Sequence, residues 1–248
     1  PDAIRDFNEA LDEVEAKSAS LMWLGREGCF SAGFDLKVIS NGDADAAAAM
    51  VKAGGDLAFR IFTFPHPVVC AVTGHCLALG SVMLVCADKR VGIEGDYKYG
   101  LNETAIDMDL PAFGYEPAVY RLAEAHRFES IVAAQIHSPE SAMAAGFLDE
   151  VVSAQELEKA AITRATELAE LPTKAYAAMK LDVRRHYIDI VSSYEDRRGV
   201  LTARKHLAAY IDELPQGRRE LGEILQFENP DSVLHSIDRY TEKWEEAA

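Results

Sequence analysis

Basic charge is scarce in this chain of 248 residues: 25 lysines and arginines stand against 41 aspartates and glutamates, a formal net charge of -16. Such a surplus of negative charge repels nucleic-acid backbones and anionic membrane surfaces at long range. Uninterrupted apolar runs long enough to span a bilayer are also missing. We therefore expect neither nucleic acid nor a membrane as a partner.

Closely spaced cysteine pairs, which many metal sites use, are missing as well. The four cysteines lie in apolar or small-residue runs, at Cys29, Cys70, Cys76 and Cys86. This usage predicts free or buried thiols, no metal site and a reducing compartment, with the cytoplasm as the default. Apolar residues, by contrast, make up 49% of the chain, enough for one large or two small domains.

Strand and helix patterns alternate in the first half of the sequence. The predicted elements are a helix from Asp2, a strand buried on both faces at 21–24, a helix at 46–64, a strand at 68–72, a helix at 80–86 and a short strand near 90–93. Beyond Pro117 the patterns are mostly helical. Repeated strand, loop and helix units predict an α/β fold with parallel strands.

Two glycine-bearing loops each follow a predicted strand, one at 30–36 and the other at 74–81. Two backbone N–H groups presented by such loops could form an oxyanion hole, and the N-terminus of a helix would add a favourable dipole. Taken alone, the pattern favours ordinary turns over an oxyanion hole, because most glycines after strands make turns.

Several separate motifs, in the right order, resemble the crotonase family, also called the enoyl-CoA hydratase/isomerase family. They are FSAGFDL at 30–36, PVVCAVTG at 67–74, CAD at 86–88, SPESA at 138–142 and GFLDEVV at 146–152. The resemblance implies an α/β core built as a ββα spiral over 1–187, with its opening strands absent from this sequence. It also implies a C-terminal helical region, 188–248, that assembles homotrimers or dimers of trimers.

Carried over by position, the two oxyanion-hole amides of the family fall on Phe34 and Leu79. The resemblance places further substrate-binding positions at Ala32, Gly33, Asp35, Gly80, Val82 and Pro111. The family commonly has three consecutive glycines in the second loop, and this chain keeps only Gly80. Bulk at Ala78 and Leu79 is therefore expected to narrow the site.

The proton-transfer groups decide which reaction the resemblance implies. Hydratases of the family use two glutamates, and this chain has Val82 at the first position and Glu103 at the second. The segment GLNET at 100–104, with Pro111 beyond it, is similar to the enoyl-CoA delta-isomerases, which use that glutamate alone. One buried carboxylate with a raised pKa can move a proton from C2 to C4 of a 3-enoyl thioester.

Other interpretations stay open at this stage. Asp107 stands where the family usually has glycine, and either it or Asp109 could supply a second carboxyl for hydration or thioester hydrolysis. A catalytically silent acyl-CoA-binding protein is a third reading. His66 and His75 have no partner at useful spacing and are expected to be packed or loop residues.

The resemblance implies an acyl-CoA substrate and no separate cofactor, since coenzyme A is part of the substrate. A polyanionic ligand needs a locally basic mouth in a chain of negative net charge. The candidates for that mouth are Lys37, Lys89, Arg90 and Lys98.

Overall fold

The computed structural model describes residues 2–17, 19–35, 37–38 and 44–211. Two compact units share the chain, Pro1–Tyr187 and Ile188–Ala248. Within the part of the chain that the structure describes, no helix is both long and apolar enough to cross a membrane.

In the described residues, seven parallel strands form two sheets. The larger sheet has the order β1-β3-β5-β7 and the smaller one the order β2-β4-β6. Their bounds are β1 Leu21–Leu24, β2 Gly28–Ser31, β3 Val68–Val72, β4 Gly74–Leu77, β5 Lys89–Ile93, β6 Tyr99–Gly100 and β7 Glu150–Val152. Successive strands therefore alternate between the two sheets, which is the ββα spiral expected from the sequence.

Helices follow each pair of strands. In chain order they are α1 Asp2–Lys17, α2 Ala44–Thr63, α3 Leu79–Cys86, α4 Ala112–Arg121, α5 Pro139–Ala145, α6 Leu157–Ala169 and α7 Thr173–Ile211. Helix α6 covers the larger sheet and shares a buried apolar cluster with β3 and β5, consisting of Val69, Ala71, Val91, Ile93, Leu157 and Ala161. Burial of this apolar surface is the main force that holds the helix on the sheet.

Two details of the strands differ from the sequence prediction. The strand β1 was predicted to be buried on both faces, but Leu24 is 48% exposed, because β1 is an edge strand of its sheet. The predicted glycine loops also contain short strands, since β2 ends at Ser31 and β4 runs from Gly74 to Leu77. The loops proper are thus shorter than expected.

Candidate active site

The smaller sheet brings three candidate segments to one edge. Because β2, β4 and β6 are parallel, the residues that follow them meet at the carboxyl ends of the strands, where open α/β sheets bind ligands. Those segments contain Gly33 and Phe34, then Leu79, and then Glu103. The alignment is close, since the Ala78 N–H donates a hydrogen bond of 3.1 Å to the Gly100 carbonyl.

The first loop approaches the second closely at Gly33. Its φ of +92° lies in the left-handed region that favours glycine. A Cβ at this position would lie 2.9 Å from the Cβ of Ala78 and 3.3 Å from the backbone nitrogen of Leu79. Any larger residue would therefore push the two loops apart.

Both candidate oxyanion residues pack against one glycine in helix α2. A Cβ at Gly54 would lie 2.5 Å from the ring of Phe34 and 2.9 Å from Cδ2 of Leu79. The two side chains therefore pack together on the same helix position. Two adjacent glycines in the middle of a helix, Gly54 and Gly55, are a sequence signal for such close packing. No role was predicted for either residue.

The second loop presents free donors at the start of α3. Ala78 precedes the helix with φ 51° and ψ -131°, a strained conformation for a residue other than glycine. The N–H groups of Leu79, Gly80 and Ser81 donate no hydrogen bond to any described residue, which leaves the positive end of the helix open. The same holds for the Phe34 N–H among the residues that the structure describes.

The other first-loop candidates take local roles. Asp35 is exposed, and its Oδ1 accepts a hydrogen bond of 2.9 Å from the Lys37 N–H. Ala32 is also exposed. The last residue of the predicted loop motif, Leu36, lies outside the described residues.

Glu103 is a half-buried carboxylate at this edge of the sheet. Burial raises its pKa above the ordinary value of 4.5, and a hydrogen bond from its own backbone N–H opposes the rise in part. Its Oε2 atom and the neighbouring Asn102 Oδ1 are buried without a hydrogen-bond partner among the described residues. Unsatisfied buried acceptors are uncommon and point to a functional position. Sequence reasoning gave Asn102 no role.

Val82 is part of an apolar wall. It is 1% exposed, and a Cβ at Gly114 would lie 3.1 Å from its Cγ2 and 2.8 Å from Cδ1 of Leu110. The carbonyl of Pro111 accepts hydrogen bonds of 2.8 Å from the N–H groups of Gly114 and Tyr115, which begins helix α4. None of Val82, Leu110 and Gly114 carries a side chain that can exchange a proton.

The carboxylates of the alternative mechanisms lie on the surface. Asp107 and Asp109 are both exposed. Asp107 ends a 3-10 turn with φ 59° in the left-handed region, a conformation that aspartate adopts more readily than most residues.

The predicted basic mouth needs one correction. Arg90 is 2% exposed, forms a 2.7 Å ion pair with Asp149 and lies in β5 of the other sheet, so it is not part of an entrance to this site; the sequence gave no hint of this distant partner. His66 is buried, and His75 Nδ1 accepts a hydrogen bond of 3.0 Å from the Lys98 N–H, as expected for packed histidines. Within the described ranges, no group of three or more potential ligands could hold a metal ion.

Comparison with known proteins identifies the family. The sequence profile described as enoyl-CoA hydratase/isomerase matches residues 1–203. A crystal structure of an enoyl-CoA hydratase/isomerase family protein from Pseudomonas syringae is 40% identical, with a TM-score of 0.75, and covers 78% of this chain and 84% of its own. The chain therefore belongs to the enoyl-CoA hydratase/isomerase, or crotonase, family.

Two curated relatives carry different reaction names. The probable enoyl-CoA hydratase EchA17 of Mycobacterium tuberculosis is 30% identical over 72% of this chain and 69% of its own length. The mitochondrial enoyl-CoA delta isomerase 1 of Mus musculus is 23% identical over 98% of this chain and 78% of its own length. The comparisons thus define the family, whereas the choice of reaction rests on the site.

Proposed function

We propose that this chain is an enoyl-CoA isomerase that moves the double bond of a 3-enoyl-CoA thioester to the 2-position. The observation that carries the proposal is the half-buried Glu103 carboxylate, with one unpartnered oxygen, at the sheet edge that also holds Phe34 and Leu79. Val82 supplies no second carboxyl, and this absence favours isomerisation over hydration.

The proposed mechanism uses one base and two backbone donors. Glu103 removes a proton from C2, and the electron pair moves toward the thioester oxygen to give a dienolate. The Phe34 and Leu79 N–H groups stabilise that oxygen as its negative charge develops, helped by the open end of α3. The protonated Glu103 then returns the proton to C4, and the double bond ends between C2 and C3.

The raised pKa of Glu103 suits this role. A base whose pKa lies closer to neutral accepts and returns a proton more evenly than an ordinary glutamate. Coenzyme A enters as part of the substrate, and Lys37 and Lys98 remain the candidates for binding its phosphates. Lys89 begins β5 directly after Asp88, at the end of α3 away from the site, and is no longer a candidate. The homotrimer or dimer of trimers implied by the family remains a prediction.

The test is conversion of a 3-enoyl-CoA to the conjugated 2-enoyl-CoA, followed by absorbance and mass spectrometry. Glu103→Gln is expected to lower kcat by about 10²- to 10⁴-fold, the usual contribution of a positioned general base. Asp107→Asn and Asp109→Asn serve as matched controls and should keep the parent rate. Equal rates for the parent and Glu103→Gln would refute the assignment.

Hydration is the second candidate, because the more similar of the two curated relatives is named a hydratase. It would give a 3-hydroxyacyl-CoA from a 2-enoyl-CoA, and that activity should fall in Asp107→Asn or Asp109→Asn. Hydrolysis would release free coenzyme A from the same mixture. Tight binding of acyl-CoAs without any turnover would instead identify a silent binding protein.

The same variant also makes a prediction about stability. Because burial raises the pKa of Glu103 in the fold, its charged form is disfavoured there. The resulting loss of stability appears as the pH rises through 4.5 and is absent at lower pH, where the group is protonated in both states. Glu103→Gln should therefore raise the free energy of unfolding at pH 7 but not at pH 3.5, as measured by urea denaturation.

A further inference from the structure

A cavity lies at the opposite end of helix α3 from the candidate active site. Its volume is about 480 Å³, within the range of sites for small organic ligands. Asp88, which lines it, follows the C-terminus of α3, whereas Leu79 begins that helix. Eight helical residues separate the two ends by about 12 Å, so the cavity is distinct from the candidate active site.

The charged residues that line the cavity are unbalanced. Three cationic side chains, Arg121, Lys180 and Arg184, face one carboxylate, that of Asp88. The side chains of Lys180 and Arg184 are only 4% and 3% exposed. The nearby Arg90 does not alter this balance, because Asp149 neutralises it.

The Asp88 carboxylate is fully engaged. Its Oδ2 accepts hydrogen bonds of 2.7 Å from Lys180 Nζ and 2.9 Å from the Val68 N–H. Its Oδ1 accepts one of 2.9 Å from Arg184. One carboxylate thus forms ion pairs with two of the cations, and none of the cavity's other lining residues is acidic.

Burial and the excess of positive charge lower the pKa of two of these cations. Burial lowers the pKa of Lys180 to about 8; Asp88 opposes the shift, and Arg184 adds to it. Burial also lowers the pKa of Arg121 to about 10, with further contributions from Arg90 and Arg184. Arg121 donates to the carbonyls of Val85 and Ala87, and Arg184 donates to those of Phe62 and Cys86. These neutral acceptors satisfy the N–H groups but do not balance the positive charge, so a bound anion would be favourable.

The rest of the cavity is apolar. Its uncharged lining residues are Tyr120, Leu168, Leu171, Pro172, Ala175, Tyr176, Met179 and Val183. Leu171, Met179 and Val183 are 48%, 60% and 56% exposed, so they present apolar surface to solvent. A ligand that matches both parts needs an anionic head for the buried cations and an apolar body for these walls.

We propose that this cavity, in which Arg121, Lys180 and Arg184 surround a single carboxylate, binds a small organic carboxylate with an apolar body. The head contacts the cationic side chains near Asp88, and the body lies along Leu171, Met179 and Val183. The proposal is independent of the isomerase assignment because it uses none of the same residues.

The test is calorimetric titration of the full chain with octanoate. Octanoate should bind at least tenfold more tightly than 1-octanol, which lacks the charge, and more tightly than acetate, which lacks the apolar body. Met179→Glu and Val183→Glu, at exposed positions that should tolerate the change, put a carboxylate on the wall that the apolar body contacts and add negative charge to the cavity, so they should weaken octanoate binding by about tenfold or more. Met143→Glu, at a 46% exposed apolar position outside the cavity, is the matched control and should bind as the parent does.

A pH series supplies a second readout. The groups that face Lys180 are Asp88, Arg121, Tyr176 and Arg184. Octanoate stays ionised above pH 6, and Lys180 loses its proton as the pH rises through about 8. Octanoate binding should therefore weaken from pH 7 to pH 9, and Lys180→Met should remove that dependence.

Three outcomes would overturn the proposal. They are no octanoate binding by the parent, equal binding of octanol, and equal loss of binding in Met143→Glu. Light scattering addresses a second copy of the chain as the occupant. An oligomer that dissociates in Met179→Glu, together with no octanoate binding, would assign the cavity to subunit contact instead.

Discussion

The two ends of helix α3 differ in whether their backbone groups are hydrogen-bonded. At its N-terminus the amides of Leu79, Gly80 and Ser81 have no partner among the described residues. At its C-terminus Arg121 donates to the carbonyls of Val85 and Ala87, at 3.4 and 2.6 Å, and Arg184 donates to that of Cys86, at 3.2 Å. The contrast suggests that the helix keeps its donors available for a ligand and secures its acceptors for stability.

The two ends also differ in stability: one is held by ion pairs, and the other contains a strained residue. The C-terminal end is held by buried ion pairs in which Asp88 joins Lys180 and Arg184. The N-terminal end carries the strained Ala78 and lies at the same sheet edge as the unpartnered Glu103 oxygen. Strain and unsatisfied groups are typical of functional sites, where the surrounding structure compensates for them.

The largest effect on stability is expected at the C-terminal end. Asp88→Asn leaves two buried cations without their carboxylate and should lower the free energy of unfolding by about 3–5 kcal/mol, measured by urea denaturation. Glu13→Gln, which breaks an exposed ion pair with Lys17, is the control and should leave the free energy of unfolding nearly unchanged, because solvent screens exposed pairs. If both variants lose the same amount, the proposed difference between the two ends is wrong.

A smaller effect, on activity rather than stability, is expected at the N-terminal end. Gly54→Ala must displace the Phe34 ring, which would lie 2.5 Å from the new Cβ. Because a shift of about 1 Å in a catalytic group can cost about 10²-fold, kcat should fall by about 10- to 100-fold. Stability should change little, since alanine favours the helix by about 1 kcal/mol.

The matched control for that prediction is Ala49→Gly, an exposed position on the same helix. It should lower the free energy of unfolding by about 1 kcal/mol and leave kcat unchanged. Should Gly54→Ala keep full activity, the packing of Phe34 would have no part in positioning the site.

The smallest effect concerns backbone strain. Ala78→Gly removes the cost of a positive φ and should raise the free energy of unfolding by about 1 kcal/mol. Ala134→Gly, whose φ is 50°, should give a similar gain. Only Ala78→Gly should lower kcat, by a few-fold, because it loosens the backbone that presents the Leu79 N–H. A parallel fall of kcat in both variants would remove the link between this strain and the site.

Part of the fold and of the candidate site could be predicted from the sequence. The alternation of apolar runs and helical spacing predicted the α/β core, and the ordered motifs from 30 to 152 identified the family. These signals are local, so they survive in a single sequence. Val82 and Glu103, the two positions at which the resemblance implies proton-transfer groups, could be compared for the same reason.

The relation between those residues required the fold. Residues that follow β2, β4 and β6 meet only because parallel strands far apart in sequence lie side by side. The packing of Phe34 on Gly54 and the removal of Arg90 from the predicted basic mouth depend on such distant contacts too.

The sequence alone was enough to assign the family and the alternating elements, and it pointed to Glu103 as the candidate for proton transfer. The fold was needed to see which amides have no partner among the described residues, which cations are buried and where the cavity beside Asp88 lies. The physical reason is that Asp88 meets Lys180 and Arg184 across 92 and 96 positions of the chain. Patterns within one segment contain no information about partners at that distance.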